Sequence, residues 1–234
     1  MRLAAALTVS AVLLLGTAQP AAAAPSADLR SPGTVVVGPG PGTYATFAVG
    51  DVPASVRAMD LYLYGPGDDR ALLDLQIRNR PGIWEGEYKF HSSEEFGKWK
   101  AVLTMRDGAG RSSKGGTVHF SVKRRTTLST PGSKSRGGGV SGVLRKLAAN
   151  GKYKAHSKQK VRLYRWNVQH ASACVEPRVA SRQASVCQRK GSWKYTATDV
   201  TDAKGRYSFK APSGKIQIRY AGDAVNASAV RTVN

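Results

Sequence analysis

Hydrophobic residues recur at every second position through most of this chain. Side chains two apart share one face of a β-strand, so the pattern predicts half-buried strands. Ala45, Phe47 and Val49 alternate with Tyr44, Thr46 and Ala48, and Met59, Leu61 and Leu63 alternate with Asp60, Tyr62 and Tyr64. Leu73, Leu75 and Ile77 form the next set, then Trp84, Gly86, Tyr88 and Phe90 opposite Glu85, Glu87 and Lys89. Trp99, Ala101, Leu103 and Met105 follow, and then Val118, Phe120 and Val122. Thr34 to Val37 reads as a seventh strand. In the second half the apolar sets are Val140 to Leu147; Val161 and Leu163; Trp193, Tyr195 and Ala197; Tyr207 and Phe209; and Ile216, Ile218 and Tyr220. Gly, Pro, Asp and Ser clusters separate these runs, almost nothing reads as helix, and many short strands at this spacing predict β-sandwiches.

The amino end breaks the pattern. Met1 and Arg2 precede an apolar run from Leu3 to Leu15, then Gly16, Pro20 and Ala21 to Ala24. That order predicts a secretory signal peptide over residues 1–23, cut after Ala23. The run is too short for a transmembrane helix, which needs about 20 apolar residues. The expected mature chain is exported, extracellular and in reach of the cell wall. Its expected units are 24–123 and 124–234, joined through a Gly/Ser/Pro-rich junction at 124–139, with Thr126 to Ser129 available as a first strand of the second unit. An oxidising compartment favours closing Cys174 with Cys187, the only two cysteines, inside a polar insertion at 167–192. A loop of that size is worth roughly 3 kcal/mol.

The two halves share a turn pattern. Trp99-Lys100 precedes Asp107-x-x-Gly110-Arg111, and Trp193-Lys194 precedes Asp202-x-x-Gly205-Arg206. Each reads as a strand, a hairpin turn and a return strand. The runs Val140-Ser141-Gly142-Val143-Leu144, Gln159 to Tyr164, Thr198 to Phe209 and Ile218 to Asp223 resemble the bacterial Ig-like modules of secreted actinobacterial proteins. They are also similar to carboxypeptidase-regulatory-like β-sandwich modules. The resemblance covers most of 126–234 and implies two Ig-like β-sandwich domains in tandem, an all-β fold that serves as spacer, adhesin or binding accessory. It brings no catalytic residue with it.

Charge changes the picture most. The chain carries 36 Lys and Arg against 15 Asp and Glu, a net of +21. Residues 25–123 hold 12 basic and 11 acidic side chains, whereas 124–234 hold 23 basic and 4 acidic. So large an excess is costly in self-repulsion, which favours a counter-charged partner. Lys158, Lys160 and Arg162 lie at period two, continued by Tyr164 and Trp166. Lys194, Arg206, Lys210, Lys215 and Arg219 are the outward members of their own strands. If these strands share a sheet, its outer face is a cationic surface with aromatic rings at one end, a layout that binds polyanions by charge and stacking.

Catalytic signatures are weak by comparison. His91, His119, His156 and His170 show no metal-ligand spacing and read as solvated surface residues. Gly138 to Gly142 lacks the glycine spacing of a nucleophile elbow. Asp68, Asp69 and Asp74 could hold a weak Ca²⁺ but lack the spacing of a dedicated loop. No cofactor is expected. The leading reading is a non-enzymatic protein whose basic half holds an anionic extracellular polymer or the cell envelope. Two others stand beside it: a protein ligand or inhibitor acting through 171–190, and an enzyme with an acid cluster around Asp68, Asp69, Asp74 and His91.

Overall fold

The computed structural model describes residues 27–67, 70–77, 82–130, 138–168, 191–210 and 212–233. The described chain is all-β, and its sheets pack as sandwiches around two hydrophobic clusters. The signal-peptide segment, Asp68, Asp69, the glycine-rich stretch at 131–137 and the insertion with Cys174, Cys187 and His170 lie outside the described residues.

The first eight strands are β1 (Asp28–Arg30), β2 (Thr34–Val37), β3 (Thr43–Gly50), β4 (Val56–Tyr64), β5 (Arg70–Ile77), β6 (Trp84–Phe90), β7 (Gly97–Asp107) and β8 (Ser112–Arg124). They hydrogen-bond in the order β1-β3-β6-β5-β4-β7-β8-β2, with β2 parallel to β8. Every run with clear alternation became a strand, and Phe47, Met59, Leu61, Leu63, Phe90, Leu103 and Met105 are fully buried. Phe90 stands edge-on to Trp99 with ring centroids 5.1 Å apart, a favoured aromatic geometry. The three-residue β1 has too few residues to show a period, and the sequence pattern did not reveal it.

The remaining strands are β9 (Thr126–Ser129), β10 (Gly139–Leu147), β11 (Tyr153–Ala155), β12 (Lys160–Val168), β13 (Gly191–Val200), β14 (Arg206–Lys210), β15 (Ile216–Tyr220) and β16 (Ala229–Val233). One sheet holds β11, β10 and β14, with β9 on β10; the other runs β13-β12-β15-β16. Val140, Leu144, Val161, Leu163, Tyr207, Phe209, Ile216 and Ile218 fill the space between them. The Tyr207 hydroxyl donates to the Ser129 carbonyl at 3.1 Å, and burial pushes its pKa well above the usual phenolic value. Gly142 makes this approach possible: a Cβ there would sit 1.9 Å from the Ser129 oxygen.

The expected junction at 124–139 is not a free linker at its start. β8 passes into β9 with only Arg125 between them. The Arg125 amide donates to Val37 at 2.9 Å, and the Leu147 amide donates to Arg125 at 3.0 Å. Leu147 is fully buried in the first cluster, although it ends a strand of the second. The loop after β15 closes the other side: the Arg124 amide donates to Val225, the Ala227 amide to Arg124, and the Thr126 hydroxyl to Ala227 at 2.7 Å.

The repeated turn is real, but its two copies connect different things. Asp107 Oδ1 accepts the amides of Ala109 and Arg111, and Asp202 Oδ1 accepts those of Lys204 and Arg206. Gly110 and Gly205 take positive φ in both. The first turn closes the β7–β8 hairpin. The second does not close a hairpin, because β13 pairs with β12 while β14 pairs with β10. The chain there crosses between sheets.

Candidate functional site: a cationic and aromatic sheet face

β12 sets the site. Val161 and Leu163 point into the core, so Lys160, Arg162, Tyr164 and Trp166 project outward. On β15 the inward members are Ile216, Ile218 and Tyr220, which leaves Gln217 and Arg219 on the outer face; Lys215 continues that alternation just before the strand. The register places Arg219 directly opposite Arg162 and Gln217 opposite Tyr164. Like charges directly opposed weaken a sheet, and among the described residues no acid pairs with them. Among the described residues, Lys160, Arg162, Lys215 and Arg219 make no ion pair; the Lys and Arg pairs, Arg30–Asp28, Arg106–Asp60 and Arg111–Asp107, lie in the first half of the chain, and in the second half His156 Nε2 lies 3.9 Å from Asp223 Oδ2, away from this face.

Arg219 is held in place. Its guanidinium lies 4.3 Å from the centroid of the Tyr164 ring, and its Nε donates to Gln217 Oε1 at 2.6 Å. Gln217 in turn donates to Thr232 Oγ1 on β16 at 3.3 Å. A guanidinium fixed this way keeps its terminal nitrogens for an anion and loses little freedom on binding.

The expected outward role of Lys194 is corrected. β13 carries a bulge beside Leu163/Tyr164: Ala197 pairs with Leu163, but Tyr195, not Thr196, pairs with Tyr164. One extra residue reverses the facing of everything beyond it. Tyr195 and Trp193, expected inward, therefore join the outer face, and Lys194 turns to the opposite side across from Arg165. There the two cations line a hollow of about 370 Å³ with Asn167, Tyr195, Thr196 and Pro212.

The bulge builds an aromatic ladder. Tyr164 and Tyr195 meet edge-on at 6.0 Å, and Trp166 and Trp193 at 5.0 Å. Gly191 leaves room for the Trp166 indole, since a Cβ there would fall 2.3 Å from its ring carbons. Tyr195 remains 54% exposed. The ladder also has structural work, because β15 pairs with β12 from Val161 to Arg165, the Trp166 amide donates a last bond to Lys215 at 2.9 Å, and past it only β13 pairs with β12 among the described residues.

The other expected cations lie elsewhere. Lys158 is exposed in the turn before β12, at φ 57°, with its amide donating to Thr201. Arg206 and Lys210 are on β14, in the second sheet, where Arg206 faces Val143 of β10. The ten candidates therefore do not form one face. Alternation shows which side of a strand a residue takes, but not which sheet the strand joins. Arg206 instead borders a hollow of about 750 Å³ with Ser129, Ser141, Asp199, Asp202 and Ser208. Both acids there are occupied by backbone: Asp199 accepts the Val200 and Ser208 amides at 2.8 and 2.7 Å.

His156 overturns its surface expectation. It is only 4% exposed, and its Nε2 lies 3.1 Å from the Tyr220 hydroxyl, which donates to Asp223 Oδ2 at 2.9 Å. Burial and nearby Lys146 lower its pKa, so the imidazole is neutral at neutral pH. Burial works against the Asp223 charge, but hydrogen bonds from Asn226, Val225 and Tyr220 prevail and lower its pKa. Lys123 donates to the Asp223 carbonyl at 2.8 Å, tying this network to β8. His91 and His119 are exposed, as expected. Asp74 pairs through its backbone with Asp60, and no group of three or more His, Cys, Asp or Glu could hold a metal among the described residues.

No protein-family model and no curated protein matches the chain. Solved structures align over most of its length but superpose loosely. A tetra-tandem repeat from the extending region of a large adhesion protein is 12% identical at a TM-score of 0.28; the alignment covers 89% of this chain and 50% of that one. The fibronectin(III)-like modules of Clostridium thermocellum CbhA are 13% identical at 0.31, covering 88% and 91%. Trypsin-activated α2-macroglobulin from Escherichia coli is 12% identical at 0.30, covering 90% of this chain and 15% of that one. Likeness this distant carries no ligand or activity across to this chain.

Proposed function

We propose that this is an exported, non-enzymatic binding protein whose basic C-terminal half holds an extracellular polyanion or the anionic cell envelope. The observation that carries this reading is the opposed Arg162–Arg219 pair, flanked by Lys160 and Lys215, with no acid among the described residues to neutralise it. Attraction comes from several ion pairs formed at once with release of counterions, so it falls steeply with salt. The packed joint around Arg125 and Leu147 supports a protein that presents this face from a firm base. No helix among the described residues is long and apolar enough to cross a membrane.

The test is retention of the full chain on immobilised polyphosphate, polygalacturonate and DNA. Retention at about 50 mM salt that is lost by about 300 mM is expected. Failure to bind any of the three at the lower salt contradicts the proposal.

A further inference from the structure

We infer that the ligand of this face is a polymer of acidic sugars, lying lengthwise along β12 with its anionic groups on Arg162 and Arg219 and its rings on the Tyr195–Trp193–Trp166 ladder. The inference rests on the polyanion reading above and narrows it to one ligand class.

Three observations lead there. First, cations and rings are displaced along one strand. Arg162 and Trp166 are four residues apart on the same face, about 13 Å at the rise of a β-strand. A ligand that reaches both is an extended chain of several units, not a single anion. Second, the rings that remain open are not those serving the arginines. Tyr164 is already covered by the Arg219 guanidinium, whereas Tyr195 stands 54% exposed beside it. Trp166 and Trp193 beyond it are half-buried, and a ligand made only of charge has no use for an open ring beside the arginines.

Third, the rungs are corners rather than stacks. Interplanar angles are 74° for Tyr164–Tyr195 and 66° for Trp166–Trp193. Each rung offers a ring face beside a ring edge, with no parallel slot for a flat base. A sugar ring suits a corner better. Its C–H face carries the partial positive charge that the negative face of an aromatic ring attracts, and its hydroxyls can bond at the rim. Polar groups stand at that rim: the Tyr195 hydroxyl is paired with Thr198 Oγ1 at 3.0 Å, and Gln217 lies across from Tyr164.

The experiment compares three probes on the full chain at matched charge concentration: polygalacturonate, which has rings and carboxylates; inorganic polyphosphate, which has charge alone; and oligothymidylate, which has bases. Polygalacturonate is expected to bind most tightly. The double variant Tyr195→Ser, Trp193→Ser is expected to lose about tenfold toward polygalacturonate and less than about twofold toward polyphosphate. Tyr195→Phe with Trp193→Phe keeps the rungs and is expected to stay within about threefold of the parent on both. Far-UV circular dichroism and the thermal midpoint show whether each variant keeps its fold.

Equal binding of polygalacturonate and polyphosphate, unaffected by ring removal, overturns this inference and leaves the charge reading standing. Tighter binding of oligothymidylate overturns it in favour of nucleic acid. Equal loss on all probes with a lowered thermal midpoint assigns the ladder to hairpin stability alone and also overturns it. Absence of binding to every probe overturns the charge reading too.

Discussion

The guanidinium of Arg219 lies 4.3 Å from the centre of the Tyr164 ring on the neighbouring strand, directly across from Arg162. This contact turns a flexible cation into a fixed one. Lysine keeps the charge but loses the planar fork and the stacking. Arg219→Lys is expected to weaken polyanion binding about three- to tenfold while leaving the salt dependence unchanged, read by titration at several salt concentrations. An unchanged affinity would show that charge alone matters at this position.

Leu147 predicts how the two halves unfold. It is fully buried in the first cluster while its strand, β10, carries Val140 and Leu144 of the second. Leu147→Ala is expected to cost about 2–5 kcal/mol, measured by urea denaturation. The parent should unfold in one transition, and the variant should begin to separate into two. A change below about 0.5 kcal/mol would show that the joint contributes little.

Gly142 predicts a local steric failure. Alanine there would drive a Cβ to 1.9 Å from the Ser129 oxygen and 2.4 Å from the Tyr207 hydroxyl. The backbone of β9 must move and the Tyr207 hydrogen bond breaks. Gly142→Ala is expected to cost about 2–4 kcal/mol in the same assay, from overpacking plus a lost buried partner.

His156 predicts the acid limb of stability. Its folded pKa lies below the ordinary 6.5, so on acidification the unfolded chain takes up this proton before the folded chain does. Stability is therefore fully present above about pH 6.5 and falls as pH drops below it. Asp223 acts in the same direction at lower pH, because its folded carboxyl is held below the ordinary 3.8. Thermal midpoints from pH 8 to pH 5 should decline in the parent and decline less in His156→Gln. A flat profile in the parent would contradict the assignment of a neutral buried imidazole.

The strands were legible in the sequence because each carries its own period, as in Met59, Leu61 and Leu63 or Ile216, Ile218 and Tyr220. The turns at Asp107 and Asp202 were legible because aspartate and glycine satisfy their geometry locally. What was hidden depends on partners distant in the chain. His156 is buried against Tyr220, 64 residues away. Arg206 and Lys210 went to the second sheet through a pairing of β14 with β10 that alternation does not encode. Thr196 adds one residue to β13 and exchanges the sides of Lys194 and Tyr195. The signal that could have exposed this was the coincidence of two aromatic pairs, Tyr164 and Trp166 with Trp193 and Tyr195, which meet across the hairpin only if the register slips by one.

The most direct measurement is the salt slope of binding. The logarithm of the association constant of the full chain for polyphosphate, plotted against the logarithm of salt concentration, is expected to be a straight line. Arg162→Gln should reduce its slope by about one unit, and Arg162→Gln with Arg219→Gln by about two. The same substitutions at Arg206 and Lys210, on the other sheet, should leave the slope nearly unchanged. Equal reductions from both pairs would contradict the claim that the β12–β15 face is the binding surface.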